Sequence, residues 1–244
     1  MDNNEYKEPL NKDGWSAHYN IESLNNVVEG IETGRVSVWS KEVEKICSGS
    51  VLEIGCGTGE SSLWLAKNGL NVTAIDYTDA SVELVKAAAD KLKLSNLDIM
   101  KCDATKELPF KEKQFDYIFQ AGLLEHFRTD DQINLLKIWS KYCKNMVSLI
   151  PNASSVPYRI GKQIKETKGT WEYGLEIPKH SLKEEFIKAG IDVEAEYTIG
   201  TECALTLLPK YHFVKIFYKL LKRAGYNLDD YMQGFLLVTI GKCN

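Results

Sequence analysis

The sequence predicts an α/β fold, a parallel sheet with helices on both faces. Three observations carry this. Short apolar runs alternate with amphipathic helical stretches between Val51 and Pro151. The first run, Val51-Leu52-Glu53-Ile54, leads into glycines at alternate positions (Gly55, Gly57, Gly59) and then into a helical stretch from Ser61 to Lys67. Strand, glycine turn and helix in that order form a nucleotide-binding entry. The next strands end at Asp76, Asp103 and Gln120-Ala121-Gly122, where sheets of this kind bind ligands.

Composition bounds the function classes. The chain has 244 residues, 44% hydrophobic and 26% charged, enough for one large domain with a sizeable core. A net charge of −4 argues against nucleic acid as a partner. With no apolar run of about 18 residues, stable membrane insertion is not expected. The polar, acidic stretch Met1 to Glu8 reads as neither a signal nor a transit peptide. Six cysteines (Cys47, Cys56, Cys102, Cys143, Cys203, Cys243) are scattered, without a Cys-x-x-Cys pair or a histidine at ligand spacing. Reduced thiols in a cytoplasmic protein are the expectation, with neither a metal site nor a disulfide framework.

Taken in order, residues 1–46 form an N-terminal helical cap. Trp15, His18 and Tyr19 stand out in its polar start, as expected of a segment that docks on the domain. Two helical stretches follow, 20–34 and 36–46, the second with Val36, Trp39, Val43 and Ile46 at helical spacing. Residues 51–151 are the cofactor-binding core. Its strands are 51–54, 71–75, 97–102, 115–119 and 146–150, and a helix at 79–93 carries Val82, Val85, Ala89 and Leu92 on one face. Thr129-Asp-Asp-Gln132 fits a capping box opening another helix. Residues 152–178, with Tyr158, Trp171 and Tyr173 among prolines and glycines, read as a lid or substrate insertion. The remainder, 179–244, reads as a helix at 181–189, an alternating strand (Ile191, Val193, Ala195, Tyr197), an amphipathic helix at 208–223 and a last strand at 235–240. No internal repeat is present, so a single domain with an insertion is expected.

The site residues narrow the ligand. A dinucleotide fingerprint needs a third glycine where this chain has Glu60, and a P-loop lysine is absent as well, which disfavours a diphosphate. Asp76 lies about 20 residues past the glycine loop, the position of a ribose-binding acid. Tyr77 suits a purine face, and Asp103 suits an exocyclic amine. Glu53, inside a buried strand, needs a cation or hydrogen-bond donors, which an amino-acid ammonium or the glycine-loop amides would supply. Cys56 reads as a small filler in the loop.

Glu53-Ile-Gly-Cys-Gly-Thr-Gly, Asp76, Cys102-Asp103-Ala104 and Phe115-Asp116-Tyr117-Ile118 together resemble class I methyltransferases that use S-adenosylmethionine. The triplet Glu125-His126-Phe127 is similar to the small-molecule branch that includes ubiquinone and menaquinone methyltransferases. The resemblance spans roughly 51–151. It implies a Rossmann-like seven-stranded sheet, mostly parallel with an antiparallel last strand. It also implies that Gly55, Gly57 and Gly59 approach the methionine moiety, Asp76 holds the ribose, Asp103 and Ala104 face adenine, and Gln120 and Ala121 line the sulfonium end.

A sulfonium methyl is already activated, so alignment of the nucleophile is the main task and a base is needed only for a protonated acceptor. His126 is the candidate base, with a structural role as its alternative. Tyr19, with His18, could close over the methionine end; His180 reads as a helix-start residue. Tyr158, Trp171 and Tyr173 are the candidate substrate residues, or else staples of the lid. Arg159, Lys162, Lys165 and Lys168 fit an acidic substrate but read first as a solvated face. Lys215, Lys219, Lys222 and Arg223 lie on an amphipathic helix expected to pack on the sheet rather than on a membrane.

The expected function is methyl transfer from S-adenosylmethionine to an N, O or C atom of a small molecule, by a monomer or homodimer. Two alternatives stay open: a lipid or quinone acceptor at a membrane surface, and a non-catalytic binder of the same cofactor.

Overall fold

The computed structural model describes residues 8–209, 211–226 and 233–244. The polar stretch at residues 1–7, and with it the reading of a leaderless terminus, lies outside them. Seven strands form one sheet in the order β3-β2-β1-β4-β5-β7-β6. They are β1 (Ser50–Ile54), β2 (Asn71–Asp76), β3 (Leu97–Lys101), β4 (Phe115–Ala121), β5 (Cys143–Pro151), β6 (Ile191–Ile199) and β7 (Leu236–Cys243). β7 runs antiparallel between β5 and β6, and the pairs from β3 to β5 are parallel. The chain order reverses between β1 and β4, so their carboxyl ends open a crevice at the switch point.

Burial explains which runs became which strands. Val51, Leu52 and Ile54 of β1 are fully buried, because helices cover both faces of a central strand. The edge strands β3 and β6 alternate, with Asp98 exposed between Leu97 and Ile99. A bulge between Val193 and Ala195 interrupts that alternation in β6. Trp139, Phe119 and Phe186, all fully buried, anchor the two sides of the sheet; each large apolar side chain so covered contributes about 1.5–3 kcal/mol.

The helices are α1 (Lys12–Ser16), α2 (Leu24–Thr33), α3 (Val38–Ile46), α4 (Glu60–Lys67), α5 (Asp79–Leu92), α6 (Thr129–Ser140), α7 (Val156–Thr167), α8 (Lys183–Lys188), α9 (Thr201–Leu205) and α10 (Tyr211–Arg223), with a short 3-10 turn at Leu124–His126. Three expectations are corrected here. The capping box at Thr129 does not form: the N-cap is Arg128, and the Gln132 amide instead donates to the carbonyls of Leu124 and Phe127. The segment 152–178 is not one unbroken connection, since α7 takes up almost half of it. Among the described residues, the amphipathic stretch at 208–223 rests on a neighbouring helix rather than on the sheet. It forms α10, which packs on the separate short helix α9 before it, with Phe213, Ile216, Phe217 and Leu220 exposed. Lys210, between the two, lies outside the described residues.

Two thiols counted as scattered also meet. Cys143 at the start of β5 and Cys243 at the end of β7 bring their Sγ atoms to 3.5 Å, both as free thiols.

Candidate active site

The glycine loop is held from two sides. The amides of Gly55 and Cys56 both donate to the Ile75 carbonyl of β2, and the Gly57 amide donates to Asp76 Oδ2 at 3.0 Å. Ser81 Oγ, in the first turn of α5, donates to the Gly57 carbonyl at 2.6 Å. Gly57 has φ of +53°, and a Cβ there would stand 3.1 Å from the Tyr19 ring across the cavity. Gly59 has φ of +70°, and its Cβ would meet Val85 of α5 at 2.5 Å. At Gly59 the requirement for glycine therefore comes from backbone handedness and helix packing as much as from a ligand.

Two adjoining cavities open at the crevice, sharing Trp15, Gly55 and His126 in their walls. The smaller, about 320 Å³, is lined by Asp76, Tyr77, Cys102, Asp103, Ala104 and Leu123 among others. Asp76 is buried, with Oδ1 accepting from the amide and hydroxyl of Thr78. Tyr77 is half-buried, and burial with the nearby Asp76 charge pushes its phenol up to about 12. Asp103 accepts from the amide and hydroxyl of Thr105 and pairs with Lys106. Burial pushes that carboxyl up, but these donors outweigh it and hold it below its ordinary value.

The larger cavity, about 430 Å³, is lined by Glu53, Gly57, Glu60, Ala121, Glu125 and His126, by Trp15, Tyr19 and Trp39 of the N-terminal segment, and by Tyr158, Trp171, Tyr173 and Glu176 of 152–178. Glu53 is buried, and its Oε2 accepts from both the amide and the hydroxyl of Ser62, at 3.0 and 2.5 Å. Its partner is thus the first turns of α4, not the amides of the glycine loop. Burial pushes its carboxyl up to about 8 despite those bonds. Glu60, in place of a third dinucleotide glycine, accepts from Ser37 and Ser40 and ties α3 to α4. Cys56 lines the wall as a buried thiol beside Ser81, raised by burial.

Gln120 departs from its expected place. It is fully buried behind the wall: Nε2 donates to Ser148, and Oε1 accepts from the amides of Leu123 and Leu124. It shapes the turn that presents Glu125 and His126 and does not line either cavity. Lys162 also departs from expectation. It is buried rather than solvated, donates to Oε1 and the carbonyl of Glu176, and faces the Trp171 ring at 5.1 Å. The Tyr158 hydroxyl also donates to Glu176, so Tyr158, Lys162 and Glu176 form one buried network under α7.

His126 sits in that wall, packed edge-on against Trp15 at 4.7 Å. Its Nδ1 lies 2.6 Å from the Leu175 carbonyl. A carbonyl only accepts, so Nδ1 carries the proton and Nε2 is left as the ring's acceptor. Burial lowers the imidazole below its ordinary value, which keeps it neutral at pH 7. His18 stacks on Tyr173 at 5.4 Å, closing the N-terminal segment onto the insertion, while His180 bonds Ser154 outside both cavities.

From the sequence Glu125 entered only as part of the Glu125-His126-Phe127 triplet, with no role of its own, and Glu176 did not enter at all. Glu125 is buried with Oε2 unpartnered among the described residues, and burial followed by the Glu176 charge raises its carboxyl well above the ordinary range. Trp171 Nε1 is likewise buried and unpartnered. Both line the larger cavity, and buried polar groups left open in a cavity wall mark where a ligand's polar atoms complete them. One donor atom each from Glu125, His126 and Glu176 lies within 4.8 Å of the others, a spacing that would also suit a cation. Glu125 could have been noticed in its motif. Glu176, some 50 residues downstream, carried no local signal.

Residues 51–146 match the family described as a methyltransferase domain. Over 120 residues the chain is 26% identical to the mitochondrial ubiquinone biosynthesis O-methyltransferase of Arabidopsis thaliana, covering 49% of this chain and 34% of that protein. The Rickettsia akari ubiquinone biosynthesis O-methyltransferase is 29% identical, over 54% and 49% respectively. N-methyltransferase 4 of Papaver somniferum is 34% identical, over 38% and 27%. The chain thus spans less than half the length of each of these relatives. By fold it is similar to a SAM-dependent methyltransferase from Aquifex aeolicus, with a TM-score of 0.54, 15% identity and coverage of 84% and 89%. It is also similar to the PH0226 protein of Pyrococcus horikoshii OT3, with a TM-score of 0.61, 16% identity and coverage of 87% and 91%.

Proposed function

We propose that this class I S-adenosylmethionine-dependent methyltransferase domain transfers the methyl group of that cofactor to a nucleophilic N, O or C atom of a small molecule held under residues 152–178. The observation that carries the reading is the pair of adjoining cavities at the switch point: one walled by Asp76, Tyr77 and Asp103, the other walled by aromatics and holding two unsatisfied buried polar groups. The residues present fit the cofactor. Asp76, with Thr78 on Oδ1 and Gly57 on Oδ2, keeps one lone-pair site of Oδ2 for a ribose hydroxyl, Tyr77 and Ala104 suit a purine, and Glu53, with Oε2 held by Ser62, leaves Oε1 for a cation that would draw its proton off. Ala121 and Cys56 fill the wall between, and Tyr19 closes over Gly57.

The cofactor, when bound, supplies a methyl carbon already activated for displacement. The chain's own part is alignment and proton handling. Glu125 Oε2 and Trp171 Nε1 orient the acceptor's polar atom, and Tyr158 and Tyr173 shape its apolar walls. His126 Nε2 takes the proton of a protonated acceptor, while Leu175 holds the ring through Nδ1. Trp15 and Tyr19 exclude water by covering the crevice.

The test is release of S-adenosylhomocysteine with a panel of phenols, amines and carbon acids, alongside calorimetric cofactor binding. Asp76→Ala should weaken cofactor binding by about two orders of magnitude, because it removes a charge-assisted hydrogen bond to the ribose and the carboxylate that holds the Gly57 amide. Unchanged affinity would sink the assignment of the smaller cavity. Cofactor binding without any turnover would instead favour a non-catalytic binder.

A further inference from the structure

The longest exposed apolar stripe among the described residues lies on α10. Phe213, Ile216, Phe217 and Leu220, at 75, 59, 63 and 56% exposure, recur at i, i+3, i+4 and i+7 and so share one face. A different set, Val214, Tyr218 and Leu221, falls about 100° round the helix; Tyr218 is buried there. Packing on α9 therefore accounts for the second set and leaves the first unexplained. Residues 211–223 also include Lys215, Lys219, Lys222 and Arg223 and no acid, in a chain whose net charge is −4. Lys219 and Arg223 follow the apolar stripe on the helical wheel, and both are exposed.

We propose that α10 docks on an anionic lipid surface, with Phe213, Ile216, Phe217 and Leu220 entering its interfacial layer and Lys219 and Arg223 meeting lipid phosphates. A helix of this pattern lies in the plane of an interface and does not span it, and among the described residues no helix is long and apolar enough to cross a membrane. Charge decides between occupants. A second copy seated symmetrically on the stripe would bring two acid-free basic helices together, whereas an anionic surface neutralises each one.

The position of α10 gives docking a consequence. It rests on α9, α9 packs on α7, and Leu207 just beyond α9 both lines the larger cavity and seats against Gly161 of α7. Val156 and Ile160 of α7 are exposed as well, at 58 and 47%. The layer that would face lipid is thus continuous with the wall of the acceptor cavity, so an apolar acceptor dissolved in the bilayer would be met at its surface. This last step rests on the proposed methyl transfer; the docking does not.

The experiment is co-sedimentation of the full chain with phosphatidylcholine vesicles and with equal mixtures of phosphatidylcholine and phosphatidylglycerol. Binding should need the anionic lipid and should fall with added salt. The variant Phe213→Glu/Phe217→Glu should lose it, and Lys219→Gln/Arg223→Gln should weaken it about 25-fold, from about fivefold per basic residue. Thermal unfolding and cofactor affinity of both variants should match the parent, since these side chains are exposed. Failure of the parent chain to bind anionic vesicles overturns the proposal, and so does undiminished binding by the double glutamate variant. A concentration-dependent dimer by light scattering, dissolved by the same glutamates, would overturn it in favour of a second copy.

Discussion

Glu53→Gln tests how the larger cavity holds a cation. Glu53 is 5% exposed, and burial lifts its carboxyl from an ordinary 4.5 to about 8. In the free protein at neutral pH it is therefore mostly protonated. A cationic ligand that needs the carboxylate must first ionise it, at about 1.4 kcal/mol for each pH unit below that value. Wild-type affinity should accordingly rise about tenfold per unit between about pH 5 and about pH 7, where an α-amine stays charged. Glutamine keeps an oxygen for the Ser62 amide and hydroxyl, so the strand and α4 should survive, but it does not titrate. Calorimetry with S-adenosylhomocysteine on both proteins would then give an affinity ratio that grows on the order of a hundredfold across that window. A ratio that stays flat would refute the reasoning, because Glu53 would not be facing the ligand's cation. The same shift affects stability in the opposite sense. Between about 4.5 and about 8 the folded state binds more protons at Glu53 than the unfolded state. The stability this group contributes is complete below about 4.5 and is lost as pH rises through about 8. Glu53→Gln should therefore raise the melting temperature of the ligand-free protein at about pH 8.

Gly57→Val should abolish cofactor binding in the same calorimetric assay. It forces a β-branched residue to φ of +53° and drives a Cβ to 3.1 Å from Tyr19; retained affinity would mean that Tyr19 moves freely. His126→Ala should lower kcat about a hundredfold or more while leaving cofactor affinity within a few-fold. In the parent enzyme the acidic limb of the pH profile should lie below the ordinary imidazole value, because burial lowers His126. An affinity loss without a kcat loss would make the residue a scaffold element. Lys162→Met should cost about 3–5 kcal/mol in urea unfolding, since it strands the Glu176 carboxylate in a buried site. Lys162→Met/Glu176→Met should recover much of that loss, and equal costs for the single and double variants would contradict a paired network.

The parts of the site read from sequence were those built by contiguous residues or by strand ends. The glycine loop, Asp76 and Asp103 follow from local rules: a turn that needs positive φ, and strands that end where ligands bind. That the last strand is antiparallel came from the family resemblance rather than from periodicity, and its place between β5 and β6 from the structure. Gln120 misled because a polar residue at a strand end looks like a ligand until its amide is seen bonding Ser148 and the turn at Leu123 and Leu124. Lys162 misled because basic residues recurring every three positions usually face water. Here Glu176, from beyond α7, draws one of them inward.

By itself, then, the sequence determined the strands, the glycine loop and the strand ends at Asp76 and Asp103, because hydrophobic period and turn chemistry are written within a few residues. Tertiary structure decided which side of each amphipathic element is covered. A pattern shows that a face is apolar but not what lies against it, so the burial of Lys162 and the exposure of Phe213 and Phe217 could only come from packing. It also decided the wall of the larger cavity. Glu125, His126, Trp171 and Glu176 meet there across about 50 residues of chain, a closure that no local spacing encodes.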